Sequence, residues 1–163
     1  MKNKPSNLRV NKLGVLSLPV LLAVPIPALA ASPEYDIVSC GTREAIREDT
    51  GFKTRVLLEE ANFGSGELQV AEMYFPPGYK TNAHTHGSDE VFYVIEGMFG
   101  HFVNGEGRML QPGEIGVART GDKVEHVTNE NSSARVLVMW VPGGELPSVA
   151  EDTRQTWEML SCP

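Results

Sequence analysis

The sequence is short of the features that bind polyanions. Its 163 residues include 14 Lys and Arg against 21 Asp and Glu, which gives a formal net charge of −7. Nucleic acids and anionic membranes are bound through clustered Lys and Arg, so this balance disfavours both as partners. Long-period repeats and low-complexity runs are also missing, and the length suits one domain. Net charge does not describe a pocket, so a small-molecule substrate is left open.

Cysteine is scarce as well. The two cysteines, Cys40 and Cys162, lie far apart in the sequence. In an exported protein an even number of cysteines favours a disulfide, and this one would close a loop of about 120 residues, worth at most about 4–5 kcal/mol. Two unpaired thiols are the alternative, because nothing in the sequence shows that the ends meet. Neither cysteine has a histidine nearby in the sequence, which argues against a catalytic thiol.

Residues 1–30 are predicted to be a secretory signal peptide. Four basic residues and no acidic residue precede an apolar run, Leu13–Leu29, and the small-residue motif Ala28-Leu29-Ala30 follows. This order is typical of a leader that is cleaved near Ala30. A retained membrane anchor is the alternative, but three prolines and a short apolar run disfavour a spanning helix. Cleavage would leave 133 residues of net charge −11, periplasmic or secreted and not attached to a membrane.

The rest of the sequence favours an all-β fold. Short strand-like runs alternate with turns rich in Gly and Pro, a spacing typical of antiparallel sandwiches and barrels. Two hairpins are expected, one turning at Gly97 and one at Asn104-Gly105. The predicted strands are Thr54–Glu59, Leu68–Phe75, Val91–Glu96, Met98–Val103, Arg108–Leu110, Ile115–Ala118, Val124–Thr128 and Arg135–Val141.

These strands divide the chain after the leader into three segments. Residues 31–52 are predicted to form an N-terminal arm, residues 53–144 the β-barrel and residues 145–163 a polar C-terminal tail. Within the arm, Thr42–Glu48 is expected to be either a short helix capped by Thr42 or an extended chain. Trp157 and other apolar residues of the tail are available to dock on the barrel.

Two of the four histidines, His84 and His86, are separated by one residue and followed by Glu90. Side chains two apart on a strand leave it on the same side, so both imidazoles and the carboxylate are expected to meet at one point. Such donors suit a divalent transition metal, namely zinc, iron, manganese, nickel or copper. Phe92 and Val94 share the parity of Glu90 and are expected to line the same cavity. A solvated or core histidine pair without metal is the alternative.

This stretch resembles the first signature of the cupin superfamily, G-x5-H-x-H-x3,4-E-x6-G. Gly78, His84, His86, Glu90 and Gly97 all fall on the pattern, which would arise by chance about once in ten thousand such sequences. The resemblance implies a small, exported, single-domain cupin (cupin-2 type) folded as a double-stranded β-helix, or jelly roll. The mouth of such a barrel holds a metal and one small ligand. The oligomeric state is left open, with a homodimer as one expectation because cupins often pair through sheet edges.

The second cupin signature, G-x5-P-x-G-x2-H-x3-N, is degenerate in this chain. Gly113 opens it, but Arg119 stands where proline is usual and His126 comes two residues late. Asn129 and Asn131 follow His126 by three and five positions, where the signature has four. The resemblance implies that His126 is the fourth metal ligand. A surface histidine, with water completing the site, is the alternative.

The remaining histidine, His101, lies between Gly100 and Phe102 on a predicted strand. A slip of one residue in the register of that strand decides whether His101 faces the cavity or solvent. A structural or exposed role is favoured over a contact with substrate or with the metal ligands.

The resemblance indicates a fold and a metal better than it indicates a reaction. Small cupins include dioxygenases of flavonols, thiols or diketones, isomerases, lyases, and metal-bound proteins without known catalysis. The first hypothesis is an exported, metal-dependent, dioxygenase-type oxidoreductase acting on a small organic molecule, with phenols as one option. In it Glu90 is the catalytic residue, which binds the metal or takes a proton from a substrate hydroxyl. The alternatives are a non-catalytic metal or small-ligand binding module of the cell envelope, a cupin isomerase or lyase, and a metal-free structural cupin.

Overall fold

A computed structural model of the protein describes residues 41–146 and 154–161. These residues all belong to one compact unit. The predicted leader and both cysteines, Cys40 and Cys162, lie outside the described residues, so the signal peptide and the disulfide stay predictions. Within the described ranges no helix is long and apolar enough to cross a bilayer.

Nearly all regular structure in the described ranges is strand, as the sequence predicts. Eleven strands and one four-residue helix have their bounds within these ranges. Their bounds are β1 Arg43–Arg47, β2 Lys53–Leu58, α1 Glu60–Phe63, β3 Gln69–Phe75, β4 His84–Thr85, β5 Asp89–Gly97, β6 Phe99–Val103, β7 Glu106–Leu110, β8 Ile115–Ala118, β9 Lys123–Val127, β10 Ala134–Val141 and β11 Gln155–Met159.

The strands form two antiparallel sheets. The larger sheet has the strand order β11-β1-β2-β3-β10-β5-β8, and the smaller sheet has the order β4-β9-β6-β7. Side chains alternate along the central strands, so that on β5 Glu90, Phe92 and Val94 are buried while Tyr93 is exposed. The parity predicted for Phe92 and Val94 is thus confirmed, and so is the all-β jelly-roll architecture.

An aromatic cluster lies in the core and reaches the candidate site. Phe99 is within 4.9 Å of Phe75 and 5.0 Å of Phe92, measured between ring centroids. The rings are tilted, an arrangement that aromatic quadrupoles favour. Each such side chain contributes about 1.5–3 kcal/mol when it is fully buried. The ring of His126 stacks on Phe99 at 5.2 Å, so the core packs directly against one histidine of the candidate site.

The hairpin predicted at Gly97 is wrong. Strand β5 pairs with β10 and β8, whereas β6 pairs with β7 and β9 in the other sheet. The chain therefore crosses from one sheet to the other at Gly97, whose φ is +75° and whose missing Cβ would lie 2.0 Å from the Ser133 carbonyl oxygen. The hairpin at Asn104-Gly105 is confirmed, because both residues have the positive φ of a tight turn, 54° and 87°.

The arm and the tail each contribute a strand to the larger sheet. β1 pairs with β2 on one side and with β11 on the other, so the helix considered for Thr42–Glu48 is wrong and the extended alternative is right. Trp157 of β11 packs against the core cluster, and the Arg43 guanidinium lies 4.8 Å above its ring. The connection between β2 and β3 contains α1, whose first turn is closed by a reciprocal cap between Glu59 and Asn62.

Candidate metal centre

The two histidines of the first signature lie at the end of β4, with their ring centroids 4.8 Å apart. The Nδ1 atom of His84 is 2.8 Å from the Asn82 carbonyl oxygen, and that of His86 is 3.0 Å from Glu145 Oε2. Both partners accept hydrogen bonds, so each Nδ1 carries the proton and donates. The Nε2 lone pair of each ring is then available to a cation, the usual arrangement of a metal-binding histidine.

His126 joins this pair from β9, the strand between β4 and β6 in the smaller sheet. Its ring is buried and lies 5.5 Å from the ring of His84. One nitrogen of each of His84, His86 and His126 falls within 4.8 Å of the others, so the three residues could hold a metal ion. His126 thus lies with His84 and His86 although the second signature is degenerate. The surface position considered for His126 is wrong.

Glu90 lies against two of the histidines and is almost completely buried, with 2% of its surface exposed. Its Oε1 is 3.2 Å from His86 Nε2, and its Oε2 is 3.5 Å from His126 Nε2. Two donors at about 2.1 Å from one ion lie about 3.0 Å apart in octahedral and about 3.4 Å apart in tetrahedral geometry. The observed separations fit donors that share a cation. Trp140 Nε1 donates a hydrogen bond of 2.9 Å to Oε1 and fixes the carboxylate.

Several buried polar atoms of the site have no hydrogen-bond partner among the described residues. They are His86 Nε2, Glu90 Oε2 and both ring nitrogens of His126. A buried polar atom left unsatisfied costs about 1–3 kcal/mol, and native proteins rarely leave several of them side by side. One cation would satisfy most of these atoms together. Three imidazoles and one carboxylate therefore fit a divalent transition metal, the cofactor that the sequence predicts.

In the metal-free site His86 and His126 differ in protonation. Burial disfavours the charged form of His86, but Glu90 and Glu145 outweigh it and raise its pKa to about 9. Burial also opposes ionisation of Glu90, yet His126 and His86 hold the pKa of its carboxyl well below the usual range. For His126 burial dominates and lowers the pKa of the ring. At neutral pH the metal-free His86 is thus an imidazolium with a proton on each ring nitrogen, and its Nε2 has to lose that proton before it can bind a cation. Glu90 is ionised and His126 is neutral.

His101 lies behind His126, on the side away from His84 in the order of the β-strands that carry them. It is buried, and its ring stacks on His126 at 5.4 Å with 10° between the planes. The β6–β9 register places His101 directly beside His126, which answers the question of parity that the sequence left open. Burial and the neighbouring His126 lower the pKa of His101. The exposed role considered for His101 is wrong, and its place is a packing position behind a candidate ligand.

Two side chains that contact the candidate ligands, Glu145 and Trp140, were not predicted from the sequence. Glu145 belongs to the predicted tail, yet its Oε2 accepts from His86 Nδ1 and its Oε1 accepts from the Gly87 backbone amide at 2.8 Å. Trp140 lies on a strand recognised from the sequence, but its contact with Glu90 depends on the pairing of β5 with β10. The chain separations of 59 and 50 residues leave no local pattern that could reveal either contact.

The candidate metal centre opens into a cavity of about 820 Å³. Ligand pockets are typically about 300–1,000 Å³, so the cavity holds one small organic molecule. His84, His86, Glu90 and His126 line it together with aromatic and apolar side chains of the barrel. Phe92 lines the cavity as predicted, whereas Val94 is buried in the core and does not. Residues of the N-terminal arm and of β11 complete its wall. The fold and the donor set together define a small jelly-roll barrel with a candidate metal centre in its ligand cavity.

Known proteins match this barrel in structure. No protein-family model and no curated protein matches the chain in sequence. KdgF from a Halomonas species is 23% identical over 60% of this chain and 84% of its own, with a TM-score of 0.52. An RmlC-like cupin from Shewanella frigidimarina is 22% identical over 62% and 85% of the two chains, with a TM-score of 0.53. The polyketide cyclase RemF from Streptomyces resistomycificus is 25% identical over 56% and 65%, with a TM-score of 0.51.

The chain has the fold of the cupin superfamily, and the resemblance carried by Gly78–Gly97 is confirmed at that level. The matched structures include a polyketide cyclase and a DMSP lyase, so the fold is shared by proteins of different activities. Function has to be argued from the site.

Proposed function

We propose that the protein is a metal-dependent cupin enzyme of the dioxygenase type, acting on one small organic molecule. The observation that carries this proposal is the convergence of three imidazoles and one carboxylate on a cavity large enough for a substrate. Four protein donors leave two positions of a six-coordinate ion for other ligands. A bound iron, manganese, nickel or copper ion would supply one-electron chemistry with dioxygen as co-substrate.

Glu90 serves in this proposal as a metal ligand rather than as a base. A general base works best when its pKa lies near the operating pH. The pKa of the Glu90 carboxyl is held far below that range by His126 and His86, against the opposing effect of burial. Trp140 also fixes one of its oxygens. Glu90 is the single carboxylate among the described residues that line the cavity, which favours chemistry at the ion over proton abstraction.

The cavity wall suits an unsaturated or aromatic substrate. Phe52, Phe75, Tyr79, Phe92 and Trp140 all line it. Aromatic side chains bind flat rings through stacked or edge-to-face contacts and keep water from the reacting atoms. A phenol is therefore a suitable class of substrate to test first.

We also propose that the enzyme acts after export. The support is the order of a basic start, an apolar run and the small-residue motif at Ala28-Leu29-Ala30. The test is the mass and N-terminal sequence of the protein recovered from periplasm or medium. Cleavage near Ala30 is expected, and an intact Met1 in the cytoplasmic fraction would overturn export.

A non-oxidative metal-dependent reaction, such as a cyclisation or a lyase reaction, is the second candidate. The likeness to the cyclase RemF, at 25% identity, favours it over other non-oxidative reactions. Both candidates use the same ion and the same cavity. They differ in whether dioxygen is consumed.

The experiment is elemental analysis of protein purified from its native compartment, followed by dioxygen uptake with a panel of phenols. About one redox-active ion per chain, and both atoms of dioxygen in the product, are expected. Glu90→Gln should weaken metal retention and abolish uptake. Glu96→Gln is the matched control, because Glu96 is on the same strand with its side chain 75% exposed. Turnover without uptake would favour the second candidate, and protein purified without metal would contradict both.

A further inference from the structure

The cavity carries more positive charge than the rest of the protein suggests. The chain has an excess of seven acidic residues, yet the described cavity wall includes Arg47, Lys80 and Arg154 against the single carboxylate of Glu90. The Lys80 side chain is 67% exposed and lies 3.2 Å from Glu125 on the surface, whereas the Arg47 side chain is largely buried, so Arg47 is the cation set into the wall. A cleft lined by one sign of charge concentrates ligands of the opposite sign. The charge of the wall points to an anion.

Arg47 is held in a defined position at the end of β1. Its Nη1 donates to the Tyr79 hydroxyl at 3.1 Å, and its Nη2 lies 3.4 Å from Asp49 Oδ2. Only 12% of the Arg47 side chain is exposed, whereas the Asp49 side chain is 50% exposed. A guanidinium placed in this way offers a planar set of donors that matches a carboxylate in two-point geometry.

Gln155 lies directly beside Arg47 across the β1–β11 pair and also lines the cavity. Its Oε1 is buried and has no hydrogen-bond partner among the described residues. An amide oxygen in this state lacks a donor, and a ligand hydroxyl is a group that would supply one. The cavity thus has a polar end built by the two terminal strands.

An aromatic path connects this polar end to the metal site. Tyr79, which holds Arg47, lies 5.5 Å from Phe75 between ring centroids, and Phe75 lies 6.4 Å from His126. Phe52 stacks on Tyr79 at 5.2 Å and completes this wall. A ligand that spans from Arg47 to the donors of the metal site therefore passes along aromatic rings. Its body has to be apolar and preferably flat.

We propose that the substrate is a small hydroxylated aromatic carboxylate, bound by its carboxylate to Arg47, with Arg154 as a supporting cation. A hydroxyl near that end donates to Gln155 Oε1, and the other end of the ring faces the metal site. This inference rests on the proposed function, which it narrows from small organic molecules to anionic ones. Arg47 is a binding residue in it and takes no part in holding the ion.

The test is calorimetric binding to the zinc-loaded full chain, since zinc is redox-inert and leaves the ligand unchanged. The probes are benzoate and 3-hydroxybenzoate, each paired with its neutral amide. Wild-type protein should bind the carboxylates more tightly than the amides. Arg47→Gln should weaken carboxylate binding by about tenfold or more and leave amide binding and zinc affinity unchanged. Arg47→Lys should recover part of the loss, because it keeps the charge without the planar fork.

The matched control is Arg55→Gln, because Arg55 is paired with Glu44 at 2.8 Å and lines a separate surface groove. Thermal unfolding of each variant shows whether the fold is intact, and Arg154→Gln, at an exposed position, gives an independent smaller loss if Arg47→Gln is unstable. Equal binding of acids and amides, or carboxylate binding that both arginine variants leave unchanged, overturns the proposal. A protein that binds zinc but binds the acids no more tightly than their amides would refute this inference alone. Carboxylate binding without any metal site would refute the proposed function alone.

Discussion

The candidate site has two halves, which match their cupin signatures to different degrees. The first half, with His84, His86 and Glu90, follows the first signature at every position from Gly78 to Gly97. The second half departs from its signature by two residues, yet His126 arrives at the same centre. Sheet pairing explains this, because β9 is held between β4 and β6 with His84 opposite Val124. The position of a ligand on a strand is set by register and parity more than by loop length.

The loop before β9 absorbs the extra residues without disturbing the strand. Asp89 accepts hydrogen bonds from the Arg119 guanidinium at 2.8 Å and from the Thr120 amide at 2.9 Å. The Gly121 amide donates to the His86 carbonyl oxygen at 3.0 Å. These contacts tie the loop of the second half to the strand of the first. A degenerate spacing in a loop is therefore weak evidence against a ligand that follows it.

The largest effect is expected from removing a histidine of either half. His84→Ala and His126→Ala should both weaken metal binding by more than the roughly 10–100-fold typical of an outer partner. The two losses should be similar if both halves are equal members of the site. Metal affinity by competitive titration measures this, with His101→Gln as the control that keeps the ion. If His126→Ala kept the wild-type metal affinity, His126 would not be a ligand and the site would consist of the first half alone.

Removing Glu145 should affect the first half alone. Its carboxylate orients His86 through Nδ1, whereas neither ring nitrogen of His126 has a hydrogen-bond partner in the described ranges. Glu145→Ala should weaken metal binding by about 10–100-fold, with Glu145→Gln closer to wild type because its amide oxygen still accepts. Glu106→Ala, at an exposed position on β7, is the control. Equal affinity of Glu145→Ala and wild type would show that His86 needs no support.

The two halves should also differ in their response to pH. Metal binds neutral imidazole, so the proton held by His86 up to about pH 9 must leave, while His126 has a lowered pKa and is already neutral. Affinity should rise about tenfold per pH unit between pH 7 and 8.5 and level off above about 9. A flat profile over this range would contradict the raised pKa of His86.

Metal affinity should rise with pH, whereas the free energy of unfolding of the metal-free protein should fall. A folded-state pKa raised above the unfolded value favours the folded state at low pH. The contribution of His86 is complete below about pH 6.5 and is lost as the pH rises through about 9, with an upper limit of about 3 kcal/mol. Urea unfolding of metal-free protein across this range measures the loss. In Glu145→Ala the loss should be smaller, because one of the two carboxylates that raise the pKa is gone.

The smallest effect is expected from Trp140→Phe. It removes the hydrogen bond to Glu90 Oε1 and should cost about 1–3 kcal/mol of stability with only a severalfold loss of metal affinity. Trp157→Phe is the matched control, because its indole nitrogen is buried without a partner among the described residues. Denaturant unfolding with and without metal compares the two. A larger loss in Trp157→Phe would mean that packing outweighs the contact with Glu90.

Local patterns predicted the parts of the fold and the site that depend on local rules. Alternation predicted the central strands and the shared parity of Glu90, Phe92 and Val94, and Asn104-Gly105 predicted the hairpin with its two positive φ angles. The single strand expected to carry His84, His86 and Glu90 was wrong, because β4 and β5 belong to different sheets. The turn at Gly97 was misassigned because glycine marks a turn but does not say which sheet the next strand joins. The sequence left β1 open between helix and strand and did not predict β11, because only Ala45 is buried on β1 and β11 has no fully buried side chain. Glu145 and Trp140 depend on long-range pairing, which no local pattern records.

In the proposed arrangement, ligand recognition and ion binding would be carried by different strands. The ion would be held by β4, β5 and β9, while Arg47 and Gln155 belong to the two strands at the opposite edge of the larger sheet. Variation confined to residues 41–51 and 154–160 could therefore alter which ligands are admitted while leaving the ion in place. Ligand specificity could then evolve through substitutions in these two segments without loss of the metal ion.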